Sequence, residues 1–342
     1  MTDTKKEHYV PRCYLKNFAL ENTKIKIFDK FKMQTREQRI MEVAMENYFY
    51  DLDFSELIQK AELDENKKLK NDLKNIMHTD NWENIKNGLD KKFIEKKYFA
   101  PLEQTYSDLL ETFIYKSHDG NDWVINNCKI CSETEKRNMA LFIAIQITRT
   151  KSYRENLNSS LSQFHQALEH KLQIKNKNSP LKELFKPKID GDYVKSLHSM
   201  IILDVDNTIK SADILDNHVW VIYVNKTDTP FYTSDNPVVT IPHKKDKYLS
   251  YSGLASEGVE VAFPISPQLM LAMYDKKMHG NNIQDRQFIA LTDKNYIEYY
   301  NHQQVLQSYR SVFSVKNNFE LAQELCNESP ELQKFNSRVK VS

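Results

Sequence analysis

The chain has 342 residues with 48 basic and 47 acidic side chains, a formal net charge of +1. That balance excludes a global polyanion-binding surface and confines any nucleic-acid site to a local patch. Hydrophobic residues at 40% and aromatics at 11% predict a folded core, while six glycines, none in a GxGxxG or Walker-type loop, exclude the usual glycine-cradled nucleotide sites.

In chain order, the first informative stretch is His8-Tyr9-Val10-Pro11-Arg12. Pro11 has a fixed φ and no N–H, so it suits the start of a helix and holds Val10 extended. Tyr14, Leu15 and Phe18 then repeat at helical spacing, enough for one short docked helix. Lys24-Ile25-Lys26-Ile27-Phe28 alternates as a strand, and Glu46 to Asp53, centred on Tyr48-Phe49-Tyr50, reads as a second extended segment. Residues 54–90 are polar and predict a solvated helix pair. Residues 90–116 predict a long amphipathic helix that Pro101 kinks or splits near Phe99. Asp119-Gly120-Asn121-Asp122 breaks the chain after it.

Ser132-Glu133-Thr134-Glu135 is a capping box, opening a helix expected to run to about Leu157. It is apolar nearly all round for two turns, which places it at the centre of the fold. Further helix follows at 158–175 and 192–212, around a polar linker with Pro180 and Pro187. From His218 the pattern changes. Val219–Val224 reads as a buried strand, Pro230–Thr233 as its partner, and Val238–Ile241, Val259–Phe263 and Leu269–Tyr274 as three more. A helix over about 293–313 and a short one over 317–326 close the chain.

The prediction is one α+β domain over residues 1–342, with a helix-rich part at about 90–212, a sheet-rich part at about 218–290 and C-terminal helices at about 293–326. Its helical core packs on a mostly antiparallel sheet built from the N-terminal strands and residues of about 218–275. No run approaches the ~18 apolar residues of a membrane helix, and no apolar leader opens the chain. A cytoplasmic protein without a membrane partner is expected.

Chemistry concentrates in three places. His8 and Arg12 flank the first helix start, an imidazole and a guanidinium able to grip or protonate an anion, or to tie the arm to the body. Phe142, Gln146, Arg149 and Tyr153 share one face of the central helix. A buried guanidinium is costly unless satisfied. Either Gln146 and Arg149 offer planar hydrogen-bond forks to a phosphate or carboxylate, or Arg149 pairs with an acidic residue elsewhere. Thr233-Ser234-Asp235-Asn236-Pro237 is turn chemistry at a strand end, from which Ser234, Asp235 and Asn236 can also project into a site. Asp235 there suits a general base, a metal ligand or a partner for Arg149 or His8.

Weaker signals complete the survey. Phe263-Pro264-Ile265-Ser266-Pro267 predicts a sheet corner. Cys128 and Cys131 form a CxxC without a second pair at zinc spacing. Cys131 lies just ahead of a helix N-terminus, a position that can lower a thiol pKa. Asn301 is a polar residue in an aromatic stretch of the last long helix. Lys244, Lys245 and Lys247 read as a solvated basic loop.

Taken together, the His8–Phe18 motif, Gln146-x-x-Arg149, Ser234-Asp235-Asn236-Pro237 and the Phe263–Pro267 turn resemble a prokaryotic family, domain of unknown function 4238. The resemblance runs from His8 to roughly Ser314, with Cys13 where such sequences often carry an aromatic. It implies a prokaryotic, single-domain cytosolic protein and an association with mobile or phage-defence neighbourhoods.

Two functions are expected from these residues. In the first, the protein is a metal-independent hydrolase or nuclease-like enzyme acting on a phosphate-bearing small molecule or nucleic acid, without a cofactor. His8 and Asp235 are then catalytic, and Tyr9, Arg12, Gln146, Arg149, Ser234 and Asn236 bind substrate. The scarcity of carboxylates in these motifs speaks against a two-metal site. In the second, the protein is a non-catalytic binder of an anionic ligand or an effector, and the same polar cluster is recognitional or structural.

Overall fold

The computed structural model describes residues 6–21, 23–50, 94–118, 129–175, 191–246 and 250–337. The polar segment 54–90, the break at 119–122, Cys128, the linker prolines Pro180 and Pro187, and Lys247 lie outside the described residues.

The N-terminal arm forms β1 (Lys6–His8), paired antiparallel with β4 (Met45–Asn47). Pro11, extended at ψ 139°, opens the one-turn helix α1 (Arg12–Leu15), and a 3₁₀ turn carries the chain to Phe18. β2 (Lys24–Asp29) and β3 (Gln34–Arg39) form a hairpin. A π-helical turn over Ile94–Phe99 then gives way to α2 (Ala100–His118). The change falls at Phe99 as expected, because Pro101 has no N–H to return to the preceding turn.

The capping box at Ser132 starts α3 (Glu133–Arg149), with both reciprocal hydrogen bonds present. This helix ends earlier than the sequence suggests. Thr150 is extended at ψ 156°, and its hydroxyl accepts from the Tyr153 N–H to start a new helix, α4 (Lys151–Lys175). The expected helix at 192–212 is likewise two, α5 (Gly191–Leu203) and α6 (Val205–Asp216), because Asp204 caps the second.

The sheet-rich part builds a five-stranded sheet in the order β10-β5-β9-β8-β7, from β5 (Val219–Asn225), β7 (Val239–Pro242), β8 (Val259–Ser266), β9 (Leu269–Tyr274) and β10 (Gln287–Leu291). All neighbours are antiparallel except β10 and β5. Pro264 sits at an irregularity in β8 just before the turn into β9. The one-turn helix α7 (Lys276–His279) follows β9.

Pro230–Thr233 does not pair with β5. Pro230 lacks an N–H, while the N–H groups of Phe231 and Tyr232 go to the Pro267 carbonyl and the Asn301 side chain. Only Thr233–Ser234 remains as β6, and it joins a different, four-stranded sheet, β3-β2-β11-β6, in which β11 is Ser311–Ser314. The strand β11 (Ser311–Ser314) comes from residues expected to be helical. α8 (Lys294–Gln307) stops at Gln307 because Ser308 turns extended at ψ 148°. The closing helix is α9 (Glu320–Glu328).

The main core lies between α3 and one face of the five-stranded sheet, where Met139, Ile143 and Ala144 join Trp220, Ile222, Val261, Phe263 and Leu271. The opposite face, through Val239, Ile241, Ala262 and Met270, packs on Phe231, Ile297 and Tyr300. Strands covered on both faces read as continuous apolar runs, which is why these were recognisable. No described helix is long and apolar enough to cross a membrane.

Candidate functional site

The three motif segments meet. As the arm leaves β1, the His8 carbonyl accepts from Arg149 Nη2 at 2.6 Å and the Tyr9 carbonyl from Gln146 Nε2 at 3.2 Å. Both donors stand on the last turn of α3, on the same helical face, as their spacing predicts. One residue further, the Thr150 hydroxyl donates to Asn236 Oδ1 at 3.3 Å, tying the end of α3 to the Ser234-Asp235-Asn236 turn.

Arg149 is 2% exposed and largely satisfied. Its Nη1 donates to Glu103 Oε1 at 3.0 Å, and the guanidinium lies 3.9 Å from the centre of the Phe99 ring. Tyr50 donates its hydroxyl to the Arg149 carbonyl at 2.8 Å. Burial alone would lower the guanidinium pKa, but Tyr50, Glu103 and Glu95 outweigh it and hold the charge. The cavity left beside Pro11, Glu103, Gln146 and Arg149 has a volume of about 10 Å³. That is room for about one water and none for a phosphate.

His8 is enclosed. Its Nε2 has no partner among the described residues, and burial, with Arg12 and Arg149 nearby, lowers the imidazole to about 4. It is therefore neutral at pH 7. Arg12 is exposed and makes no ion pair or side-chain hydrogen bond among the described residues. The Tyr9 ring rests 5.2 Å from that of Phe49, and burial raises its phenol.

Asp235 is held by backbone. Its Oδ1 accepts from the Tyr309 N–H at 2.8 Å, and its Oδ2 from Arg310 and Ser311 at 2.9 and 2.7 Å. Burial nonetheless pushes the carboxyl up to about 6. It touches neither Arg149 nor the His8 imidazole by hydrogen bond; its acceptors fix the entry to β11. Ser234 donates to Gln304 Oε1 at 2.8 Å and Asn236 to the Gln307 carbonyl at 2.9 Å, so α8 grips the turn along its length. Asn301, on the same helix, clasps residues 230 and 232.

Beside the Thr150–Asn236 contact opens a cleft of about 470 Å³ between α4 and the edge strand β7. Tyr153, Asn156, Leu157 and Ser160 line it from α4, at the i, i+3, i+4, i+7 spacing of one helical face. Val238 and Thr240 form the opposite wall, with Ser250, Ser252 and Leu254 at the rim. None of the described lining side chains carries a formal charge at neutral pH, and burial raises the Tyr153 phenol, keeping it a neutral donor. The only trace of this wall in the sequence is a set of hydroxyl and amide groups recurring at helical spacing after Arg149.

Cys131 corrects an expectation. It is 3% exposed, and burial pushes its thiol up to about 12, so the nearby helix N-terminus does not make it a thiolate. Among the described residues no three His, Cys, Asp or Glu side chains are arranged to hold a metal ion.

This is an α+β protein in which an N-terminal arm, a Gln-x-x-Arg helix end and a Ser-Asp-Asn-Pro turn lock together beside a neutral cleft. The chain belongs to the family described as "Protein of unknown function (DUF4238)", whose model matches residues 6–318, nearly the whole length. No curated protein and no solved structure matches it.

Proposed function

We infer that the protein is a binder of small polar molecules, and that the motif cluster serves as the rigid wall of the binding cleft. One observation carries the reading: the cleft begins where Thr150 meets Asn236, at the junction of the two motifs, and is large enough for a drug-sized ligand. Its hydroxyl and amide groups are interleaved with Ile147, Leu157, Val238 and Leu254. Such a wall fits an uncharged molecule with one apolar or planar face and several hydroxyl or amide groups, of which nucleosides are convenient examples.

The seclusion of His8 and the engagement of Asp235 with three backbone N–H groups argue against proton transfer by those two residues. The anion expected from Arg12 and Arg149 meets no cation among the described residues of this cleft, since Arg149 faces Glu103 and the arm.

The test is isothermal titration of the purified chain with the common nucleosides and, in parallel, their 5′-monophosphates. At least one nucleoside is expected to bind more tightly than its monophosphate, and Thr240→Trp, which fills the cleft, is expected to abolish that binding with the fold intact by circular dichroism. Tighter binding of the monophosphate, or binding unaffected by Thr240→Trp, overturns the reading.

A further inference from the structure

A second polar network lies on the other face of the five-stranded sheet, where β7, β8, β9 and α8 converge. Ile241 stands opposite Glu260 in the β7–β8 register, and Ile241 points to the core beneath α8. Glu260 therefore brings a carboxylate into that layer, 1% exposed. Both of its oxygens are engaged: Oε1 accepts from the Tyr300 hydroxyl at 2.7 Å, and Oε2 pairs with His243 Nε2 at 2.7 Å. Behind Tyr300 the hydroxyls of Tyr274 and Tyr223 extend the chain, at 3.3 and 2.9 Å.

This network reaches the surface at an imidazole ring. The His243 side chain is 34% exposed, and with Nε2 spent on Glu260 its Nδ1 is the nitrogen left for a ligand. His279 stands beside it, ring centroids 5.6 Å apart at 71°. The His279 Nε2 is enclosed without a partner among the described residues, and the residue as a whole is half-buried, which makes Nδ1 the nitrogen we assign to a ligand. Two imidazoles so placed can be bridged by one phosphoryl group hydrogen-bonded on two of its oxygens at ~2.8 Å each.

The two rings are set apart electrostatically. The hydrogen bond to Glu260 raises His243, with its charge adding to the effect, whereas burial and the neighbouring His243 lower His279 against the pull of Asp275 and Glu260. Groups pushed in opposite directions at one site divide into an acid and a base. The tyrosines do not compete as nucleophiles, because burial raises Tyr223, Tyr274 and Tyr300 and keeps them protonated. The nucleophile must then come with the substrate.

The surroundings favour an anion. Lys244, Lys245, Lys276 and Lys277 are exposed on the two segments that carry the histidines. Two carboxylates on these segments are occupied, while Asp246 stands exposed on the same loop: Asp275 accepts from the backbone N–H groups of Gly258, Lys277 and Met278, and Glu257 pairs with Lys244 at 3.3 Å. Tyr299 is 39% exposed beside Tyr300 and offers a ring on which a base can stack.

We propose that His243 and His279 form an acid–base pair that cleaves phosphodiesters carrying an adjacent hydroxyl, the arrangement of an RNA strand. His279 Nδ1 takes the proton of the 2′-hydroxyl as its oxygen bonds to phosphorus. The protonated His243 gives its Nδ1 proton to the departing 5′-oxygen as that P–O bond breaks. The products are a 2′,3′-cyclic phosphate and a free 5′-hydroxyl, and solvent returns the proton from His279 to His243. Glu260 is a positioning residue that fixes the His243 ring and favours its charged form. The proposal is independent of the neutral cleft and its ligand.

The test is cleavage of a fluorescent oligo(U) strand and its all-deoxy oligo(dT) counterpart by the full chain in EDTA. The expected result is cutting of oligo(U) alone, with a cyclic phosphate end by mass spectrometry. His243→Gln, whose amide can still donate to Glu260, and His279→Asn should each lower the rate ~100-fold or more at unchanged Tm. Glu260→Gln should shift the alkaline limb of the pH–rate profile downward, an effect that a merely structural role would not produce. No cleavage of oligo(U), equal cleavage of oligo(dT), or full activity in the His243→Gln preparation overturns the proposal.

Discussion

The cluster at the arm and the network behind His243 are both buried and both built around a carboxylate, yet they end differently. Asp235 gives its oxygens to the backbone of residues 309–311, and Arg149 divides its guanidinium between Glu103 and the His8 carbonyl. Those contacts join an arm, a helix end and a turn that are far apart in sequence. Glu260 instead gives one oxygen to a ring that is one-third exposed. A polar network closed on itself fixes a fold; one that ends in a titratable group at the surface can exchange a proton with what arrives there.

Removing the arginine at the centre of the closed cluster gives the sharpest contrast. Arg149→Met deletes the partner of Glu103 and strands the His8 carbonyl. Breaking a buried pair from one side costs on the order of 3–5 kcal/mol, and the expectation is the lower end, about 3 kcal/mol, because Glu103 remains 24% exposed and can hydrate. Urea unfolding measures it. A variant as stable as the parent would show that this guanidinium does not hold the arm, and would restore the alternative in which it serves a ligand.

The network behind His243 should respond to a smaller change in a different way. Tyr300→Phe removes the hydroxyl that donates to Glu260 Oε1 and leaves that oxygen buried. Such a loss costs about 1–3 kcal/mol. With one donor fewer, the carboxylate leans more on the imidazole, so the His243 pKa should move further up, as an NMR titration of the ring would record. A fall would mean that Glu260 is not its charge partner. The sign of the linkage also separates the two regions. A raised His243 contributes stability that is fully present below its ordinary 6.5 and lost as pH rises through the folded value. The lowered His8 does the opposite.

Much of the fold was legible in the sequence because periodicity and capping are local. The capping box at Ser132, the split at Phe99 and the apolar runs of β5, β8 and β9 all follow from neighbouring residues. What stayed hidden depended on distant partners. Ser311–Phe313 reads as the tail of a helix until β2 and β6 flank it, and Pro230–Thr233 reads as a partner of β5 until Asn301 takes the Tyr232 N–H. The convergence of residues 8–9, 146–149 and 236 was also foreseeable from their chemistry. That Asp235 would spend itself on backbone N–H groups was not, since those donors lie in a segment expected to be helix. Glu260 and His243 carry no sequence signal because each is a lone polar residue in or beside an apolar strand, and only the register brings them together.

The smallest effect belongs to the exposed end of the closed cluster. Arg12 has no ion pair among the described residues, so Arg12→Ala should change stability at pH 7 by no more than about 0.5 kcal/mol. Its charge nevertheless lowers the His8 imidazole, second only to burial. In the variant the ring should titrate above its present value of about 4. A histidine lowered in the folded state contributes stability that is complete above its ordinary 6.5 and drains away as pH falls toward the folded value, because the unfolded chain takes up the proton first. Bringing the two values closer narrows that window. The variant should therefore lose less stability than the parent between pH 7 and pH 5, by urea unfolding at each. A steeper loss in acid would mean that Arg12 supports the arm by a contact of its own, and the closed cluster would have to be redrawn to include it.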